Sequence, residues 1–536
     1  MQGPNLPTGI LEHGEMNMRH VLRMVAATLS IASTGIAWAQ GEVAVTKHSV
    51  KLDDGRTLAY TAQVGQLPIR PMGFAEPHAY IGYVSYRVEP AAGTRRPIIF
   101  MWSGGPSGAS IGENTTYGPK TIADGKLVDN PLTILSVGDL VFVDPVGTGF
   151  SRPTKPEYGA EFYQVLGDQA SVAEFIRVWR NYYDPEKSPI FLYGGSYGTW
   201  RVSGVAEVLE RNGIHVTGAV LKAGGIQLGA EALPAVYRTA LQVPGRAATA
   251  LHHHVLSADA GTNLEQVFAA ASKWALETYV PALLKIDSLP DTERERIAQQ
   301  LSRYTGFAAD KIDRKSLVIQ RPEYLSGLLP GRVLDGNDMR NSSPAASGGG
   351  RGGRGDAAGG GRAMGVSGAA GRGRGGRGGT AADDDPNRIT PVDYIRRVLN
   401  YRTDLAYLPN ERAYVTVGTT YALPGSAWTY NHVTTLTPEM RAIQLVEGGP
   451  VGTAPWLRNA MELNLRLRVL VAAGYYDSQN SCAGNEEMIR RQDPQIGSRF
   501  TLKCYLSGHV IQSEPIAAPL FFADFRRWVS ATIAAR

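Results

Sequence analysis

Pro189-Ile190-Phe191-Leu192-Tyr193-Gly194-Gly195-Ser196-Tyr197-Gly198 is an apolar run that ends in a Gly-x-Ser-x-Gly pentapeptide and leads into a helix-competent segment. A chain presents a serine nucleophile in this way: the strand turns into the helix with almost no loop, so small residues are needed where a Cβ would collide with neighbouring backbone. The pattern places Ser196 at the carboxyl edge of a sheet. In a chain with 62 glycines the pentapeptide alone suits a plain Gly/Ser turn equally well, so its context has to decide.

That context is a series of similar runs. Residues 97–102, 139–143, 216–222 and 468–472 are short and continuously apolar, as strands buried on both faces are. Helical patterns at 167–181 and 196–211 lie between them. The alternation predicts an α/β fold, with a mostly parallel central sheet flanked by helices. Upstream, residues 48–52, 57–64 and 79–88 alternate and suit antiparallel strands, the first two joined at Asp53-Asp54-Gly55. After about residue 225 the rhythm is lost and helical stretches at 263–286 and 291–304 dominate. This predicts a core of residues 40–225 and 462–536, interrupted by a large, mainly helical cap over 226–461.

Within the cap, a tract at about 345–386 is rich in Arg-Gly-Gly steps and has no apolar periodicity, so it buries too little to offset its ordering entropy. A disordered surface loop is the expectation. An RNA-binding Arg-Gly-Gly tract is the competing reading, but Asp356 and Asp383 to Asp385 dilute its charge.

The 536-residue chain carries 54 Lys and Arg against 49 Asp and Glu, a net charge of +5 without a long basic arm. No nucleic-acid partner is called for. Residues 1–39 hold a basic start (Arg19, His20, Arg23), a short apolar middle and Ala37-Trp38-Ala39 before Gln40, the layout of a cleaved secretory leader, with residues 1–15 reading as an upstream extension. The apolar middle is short for a membrane span. The chain is therefore expected to be exported, periplasmic or extracellular, with no membrane contact after cleavage. Its two cysteines, Cys482 and Cys504, can form a disulfide in such a compartment or remain two buried thiols.

A serine hydroxyl needs a histidine base, and the histidine needs an acid to hold its tautomer and stabilise imidazolium. On this kind of sheet they follow in the chain order Ser, Asp, His. Asp477 ends a buried run at 469–477, and His509 follows the strand-like segment 499–505. Order, strand-end placement and spacing together point to a triad of Ser196, Asp477 and His509. The oxyanion of an acyl-transfer intermediate needs two backbone donors. Tyr197 N–H supplies one, and Gly105 in Trp102-Ser103-Gly104-Gly105-Pro106 is expected to supply the other. His252, His253 and His254 diverge around a helix and are read as cap surface. No metal or other cofactor is expected.

Ser103-Gly104-Gly105-Pro106, Asn130-Pro131, the run from Asp144 to Ser151, Gly195-Ser196-Tyr197-Gly198, Gly474 to Asp477 and Gly508-His509 together resemble the serine carboxypeptidase family, particularly its bacterial secreted branch. The resemblance spans about residues 45–225 and 445–530. It implies the α/β-hydrolase fold, the triad and the oxyanion pair named above. Typical members begin the glycine loop with Asn, place Glu before the nucleophile, and carry a second Glu before the Gly-Pro that follows the loop. These side chains grip the free carboxylate of the substrate, the two acids sharing a proton. Here Ser103 and Gly195 stand at the first two places and Thr116 or Tyr117 near the third. Ser103, Gly104, Gly195, Thr116 and Tyr117 are the candidate substrate contacts, with Lys120, Arg152 or Arg201 as substitute carboxylate partners.

The expectation is an exported serine hydrolase that removes C-terminal residues from peptides through an acyl-enzyme. An esterase, amidase or acyltransferase that ignores the free carboxylate is the alternative. A non-catalytic binding protein on the same scaffold is the alternative of another class. Peptides or small esters and amides are the expected partners, and nothing in the sequence sets the oligomeric state. Cys482 and Cys504 each lie five residues from a proposed triad member, which predicts a bridge between the acid loop and the strand feeding the base.

Overall fold

The computed structural model describes residues 42–71, 75–90, 94–229, 233–345, 388–409, 428 and 454–535. The leader expected at 1–39 and the glycine-rich tract, apart from residue 345, lie outside the described residues. Among the described residues, nine strands of the main sheet run in chain order: β1 (Ala44–Lys51), β2 (Thr57–Ile69), β3 (Ala79–Arg87), β4 (Ile98–Trp102), β5 (Asp139–Val143), β6 (Ile190–Gly195), β7 (Val216–Lys222), β8 (Arg468–Gly474) and β9 (Phe500–Tyr505). Their order across the sheet is β1-β2-β3-β5-β4-β6-β7-β8-β9, and Arg152–Pro153 adds a short tenth strand against β3. Pairing is antiparallel from β1 to β5 and parallel from there to β9. This is the α/β-hydrolase fold.

Burial explains the two kinds of strand. Every residue of β4, β5, β6 and β7 is buried, as helices on both faces require, whereas β1 alternates with its outer residues in solvent. Seven helices frame the site: α1 (Ile111–Tyr117), α2 (Val165–Tyr183), α3 (Gly198–Arg211), α4 (Val243–His252), α5 (Leu264–Trp274), α6 (Asp291–Thr305) and α7 (Arg321–Gly327). Three more close the chain: α8 (Trp456–Leu463), α9 (Cys482–Arg490) and α10 (Ala517–Ala534). One face of the sheet packs on α2, α3 and α8 through Phe175, Trp179, Val205 and Leu457; the other packs on α10 through Phe521 and Phe525. The cap helices α4 to α7 build their own core around Tyr279, Leu301 and Tyr324.

The inserted region is not all cap. Tyr394, Ile395, Leu399 and Tyr401 pack under the sheet with Tyr86, Phe142 and Phe150, and α8 lies on the α3 face. Both segments carry enough apolar surface to be drawn into the main core, which loss of β/α rhythm alone does not reveal. The stretch expected to be a single helix at 263–286 passes from α5 through a π turn at Ala275–Tyr279 into Val280–Leu284. β2 also runs five residues past the expected end at Val64, through Pro68 to Ile69.

Cys482 and Cys504 are bridged, across 22 residues of sequence, linking the start of α9 to β9. Closing a loop of that size stabilises the fold by about 3 kcal/mol in a chain-entropy account. The Cys482→Ser/Cys504→Ser double variant is expected to lose about that much in urea unfolding, with a steeper slope against denaturant because its unfolded chain is less compact.

Candidate active site

Crowding of backbone against backbone makes the turn at Ser196. A Cβ on Gly194 would stand 2.1 Å from the carbonyl oxygen of Gly198, and one on Gly198 would stand 2.9 Å from that of Ser103. Only glycine fits either place. Ser196 itself is held at φ +54°, a left-handed conformation costing about 1–3 kcal/mol for a side-chain-bearing residue. The turn is pinned by Ser196 N–H to the Lys222 carbonyl at the end of β7 (2.9 Å) and by Thr199 Oγ1–H to the Ser196 carbonyl (2.9 Å).

Asp477 follows β8, two strands from β6 in the sheet, and His509 follows β9. His509 Nδ1 lies 2.8 Å from Asp477 Oδ2, and both side chains are buried. Asp477 Oδ1 also accepts from Gln479 N–H (2.8 Å), and its Oδ2 from Asn480 Nδ2 (3.2 Å). The carboxylate is therefore oriented before it meets the ring, and the Nδ1–H tautomer it selects leaves Nε2 as the basic nitrogen.

A strap from the cap, residues 335–340, completes the loops carrying acid and base. His509 N–H donates to the Asn337 carbonyl (2.6 Å), Met339 N–H to the Tyr476 carbonyl (3.0 Å) and Ser478 Oγ–H to the Gly336 carbonyl (2.5 Å). Arg340 reaches the Leu506 carbonyl (3.0 Å). No chemistry-bearing motif marks this strap in the sequence; the turn-forming run Asp335-Gly336-Asn337-Asp338 is its one signal. Two of the three histidines tie in beside it, His253 Nε2 lying 2.7 Å from the Met339 carbonyl and His252 packing edge-on to Tyr476.

The glycine loop after β4 lies directly on the turn. A Cβ on Gly104 would stand 2.9 Å from Ser196 Cβ and 3.1 Å from the Tyr197 nitrogen, while Gly105 turns the chain at φ +117° and is exposed. Arg201, wholly buried in α3, clamps this loop: its NH1 donates to the Ser103 carbonyl (2.9 Å) and its NH2 to the Pro106 carbonyl (2.8 Å). Its Nε meets Asp168 of α2 at 2.8 Å. Burial raises the pKa of Asp168, and the Arg201 charge opposes the rise. The Asp144–Ser151 run is a second brace, since Asp144 Oδ1 accepts from Ser110 N–H and Oγ–H (both 2.8 Å) at the start of α1.

Several expected substrate contacts fall elsewhere. Tyr117 is fully buried, its hydroxyl 2.6 Å from that of Tyr193 and its ring among Phe521 and Phe522, because the last turn of α1 faces the sheet. It belongs to the core. Thr116 supplies a carbonyl to Asn130 Nδ2 (2.8 Å). Lys120 pairs with Asp129, Arg152 is spent on the carbonyls of Gly149, Ser151 and Ala406, and Arg201 is the clamp described above. None of the three cations is placed as a carboxylate partner.

The charges beside the nucleophile are two others. A Cβ on Gly195 would lie 2.8 Å from Cε and 3.2 Å from Nζ of Lys222, which fills the space a larger residue before Ser196 would take. Glu113, in the first turn of α1, keeps one carboxylate oxygen buried without a hydrogen-bond partner among the described residues. Desolvation pushes its pKa up to about 7, against the pull of Lys222 and Ser103. Lys222 is lowered, again chiefly by burial. Sequence reading passed over both: Lys222 sits inside an apolar strand, and Glu113 lies three residues before the place where an acid was sought.

Among known proteins, the model of the serine carboxypeptidase family matches residues 82–313. Solved structures similar to the chain include Kex1(delta)p, a prohormone-processing carboxypeptidase from Saccharomyces cerevisiae, at 13% identity over 89% of this chain and 91% of that one, TM-score 0.48. A proline iminopeptidase from Mycobacterium smegmatis matches at 13% identity over 92% and 100%, TM-score 0.33. A soluble variant of monoglyceride lipase from S. cerevisiae matches at 12% over 87% and 96%, TM-score 0.31. No curated protein matches.

Gly104→Ala forces its methyl against Ser196 Cβ and the Tyr197 nitrogen. A displacement of that size is expected to lower kcat by about a hundredfold, with KM little changed and the circular-dichroism melt intact; steady-state kinetics on an activated ester checks this.

Proposed function

We propose that this serine carboxypeptidase-like hydrolase removes residues from the carboxyl ends of peptides through a covalent acyl-enzyme. The observation that carries the reading is the 2.8 Å contact between His509 Nδ1 and Asp477 Oδ2 at the sheet edge where Ser196 is turned out by its left-handed backbone. His509 Nε2 takes the Ser196 proton as Oγ attacks the scissile carbonyl, and Asp477 stabilises the imidazolium that forms. The N–H groups of Tyr197 and Gly105 hold the oxyanion. His509 then delivers its proton to the leaving amine, and water, deprotonated by the same ring, releases the acid.

Ester or amide hydrolysis without regard to a free carboxylate is the second reading. It is favoured by the glycine at residue 195 and the core position of Tyr117, which leave two of the usual carboxylate grips unfilled. Export is part of the proposal: the basic, apolar and Ala-x-Ala sequence before Gln40 supports it, as does a disulfide, which persists in oxidising compartments.

Ser196→Ala is expected to abolish labelling by a fluorophosphonate probe and to lower turnover by on the order of a million-fold. Peptides with a free C-terminus should be cleaved at least tenfold faster, in kcat/KM, than their C-terminal amides. Equal rates on the two would replace the carboxypeptidase reading with the second one. The exported chain should begin at Gln40, which Edman sequencing of secreted material reads directly.

A further inference from the structure

Resting on the carboxypeptidase reading, the geometry points to Lys222 as the residue that receives the free carboxylate of the substrate, with Glu113 as its exchangeable counter-charge. A lysine ending a strand buried on both faces needs a reason. The residue is 4% exposed, and its ammonium lies between two elements of the catalytic centre: the place a Gly195 Cβ would occupy, 3.2 Å away, and the His509 carbonyl oxygen, 3.4 Å away. An ammonium has three donors. Among the described residues it makes that single long hydrogen bond, and no carboxylate comes within ion-pair distance of it.

A buried charge so sparsely partnered is costly unless something completes it. Glu113 has the matching defect, a buried oxygen without a partner. The two attract through space without closing on each other. An anion between the glycine loop and His509 would satisfy the ammonium directly. It would also lie on the leaving side of the scissile bond, beside the base that protonates the leaving amine.

Charge counting then fixes the role of Glu113. Lys222 and an ionised Glu113 sum to zero, so a bound carboxylate adds an uncompensated negative charge unless Glu113 takes up a proton. The groups acting on Glu113 are Lys222, Ser103 and Asp144, together with the phenols of Tyr117 on its own helix, Tyr193 in the sheet and Tyr407 in the 388–409 segment. Asp477 acts on Lys222 from the far side. With the carboxyl of Glu113 titrating near pH 7, carboxylate binding is favoured below that pH and weakens above it as Glu113 ionises and claims the cation. The two-acid grip of typical serine carboxypeptidases is thereby replaced by a cation and an acid.

The test uses inhibition of p-nitrophenyl acetate hydrolysis by 3-phenylpropanoate and by 3-phenylpropanamide, which differ only in the carboxylate. The ratio of the two inhibition constants is read within each variant, so changes in turnover cancel. In the wild-type enzyme at pH 6 the acid is expected to bind at least tenfold tighter than the amide, and its advantage to fall about tenfold per pH unit above 7. Lys222→Met should bring the ratio to one, Lys222→Arg should keep part of it, and Glu113→Gln should hold it flat from pH 6 to 8. A wild-type ratio near one at pH 6, or a ratio unmoved in Lys222→Met, overturns the assignment. If Lys222→Met does not fold, the wild-type ratio and the Glu113→Gln profile decide: a Glu113→Gln profile that still falls above pH 7 overturns it. An enzyme that shows the inhibition ratio but cleaves peptide amides as fast as free acids overturns the carboxypeptidase reading alone.

Discussion

Everything at this centre depends on how closely three backbone segments approach one another at the carboxyl edge of the sheet. The end of β6, the first turn of α3 and the loop after β4 pass within van der Waals contact, and Gly194, Gly198 and Gly104 are the residues that allow it. Main-chain nitrogen is brought beside Ser196 with no side chain intervening, and the proposed oxyanion donors would be rigid backbone whose dipoles need no reorganisation during reaction. The strain at Ser196 is local, and hydrogen bonds to the neighbouring strand and helix offset it.

Such an approach has to be held in place, and the chain does so with buried charge. Arg201 gathers the carbonyls of the glycine loop while Asp168 neutralises it, and Asp144 fixes the beginning of α1. A buried ion pair contributes little net stability compared with apolar packing, but removing one partner costs about 3–5 kcal/mol. Its value here is directional: a guanidinium fork sets the positions of two carbonyls at once, which an apolar side chain cannot do.

Much of this was legible in the sequence because it depends on local pattern. Strands buried on both faces give unbroken apolar runs, so β4 to β8 are read within a residue or two, and the order Ser, Asp, His follows from strand ends. Tyr117 was misread because distance along the chain from the glycine loop does not say which face of α1 a residue occupies. Lys222 was hidden in an apolar strand, and Glu113 needed the helix in three dimensions to be placed one turn from the expected position. The share of the insertion that belongs to the main core was illegible for a related reason: which surface a segment covers is decided by long-range packing, and Tyr394 and α8 carry no local mark of it.

The strap at residues 335–340 ties the inserted region to the machinery itself. Because Asn337 and Met339 anchor the backbone on either side of the acid and the base, the cap is no detachable lid. A recombinant minimal enzyme made by excising residues 226–461 would lose the carbonyl that fixes the loop of its own histidine. Chimeras that exchange caps between relatives therefore have to place their crossover points so that this hexapeptide travels with the loops carrying Asp477 and His509 rather than with the cap helices.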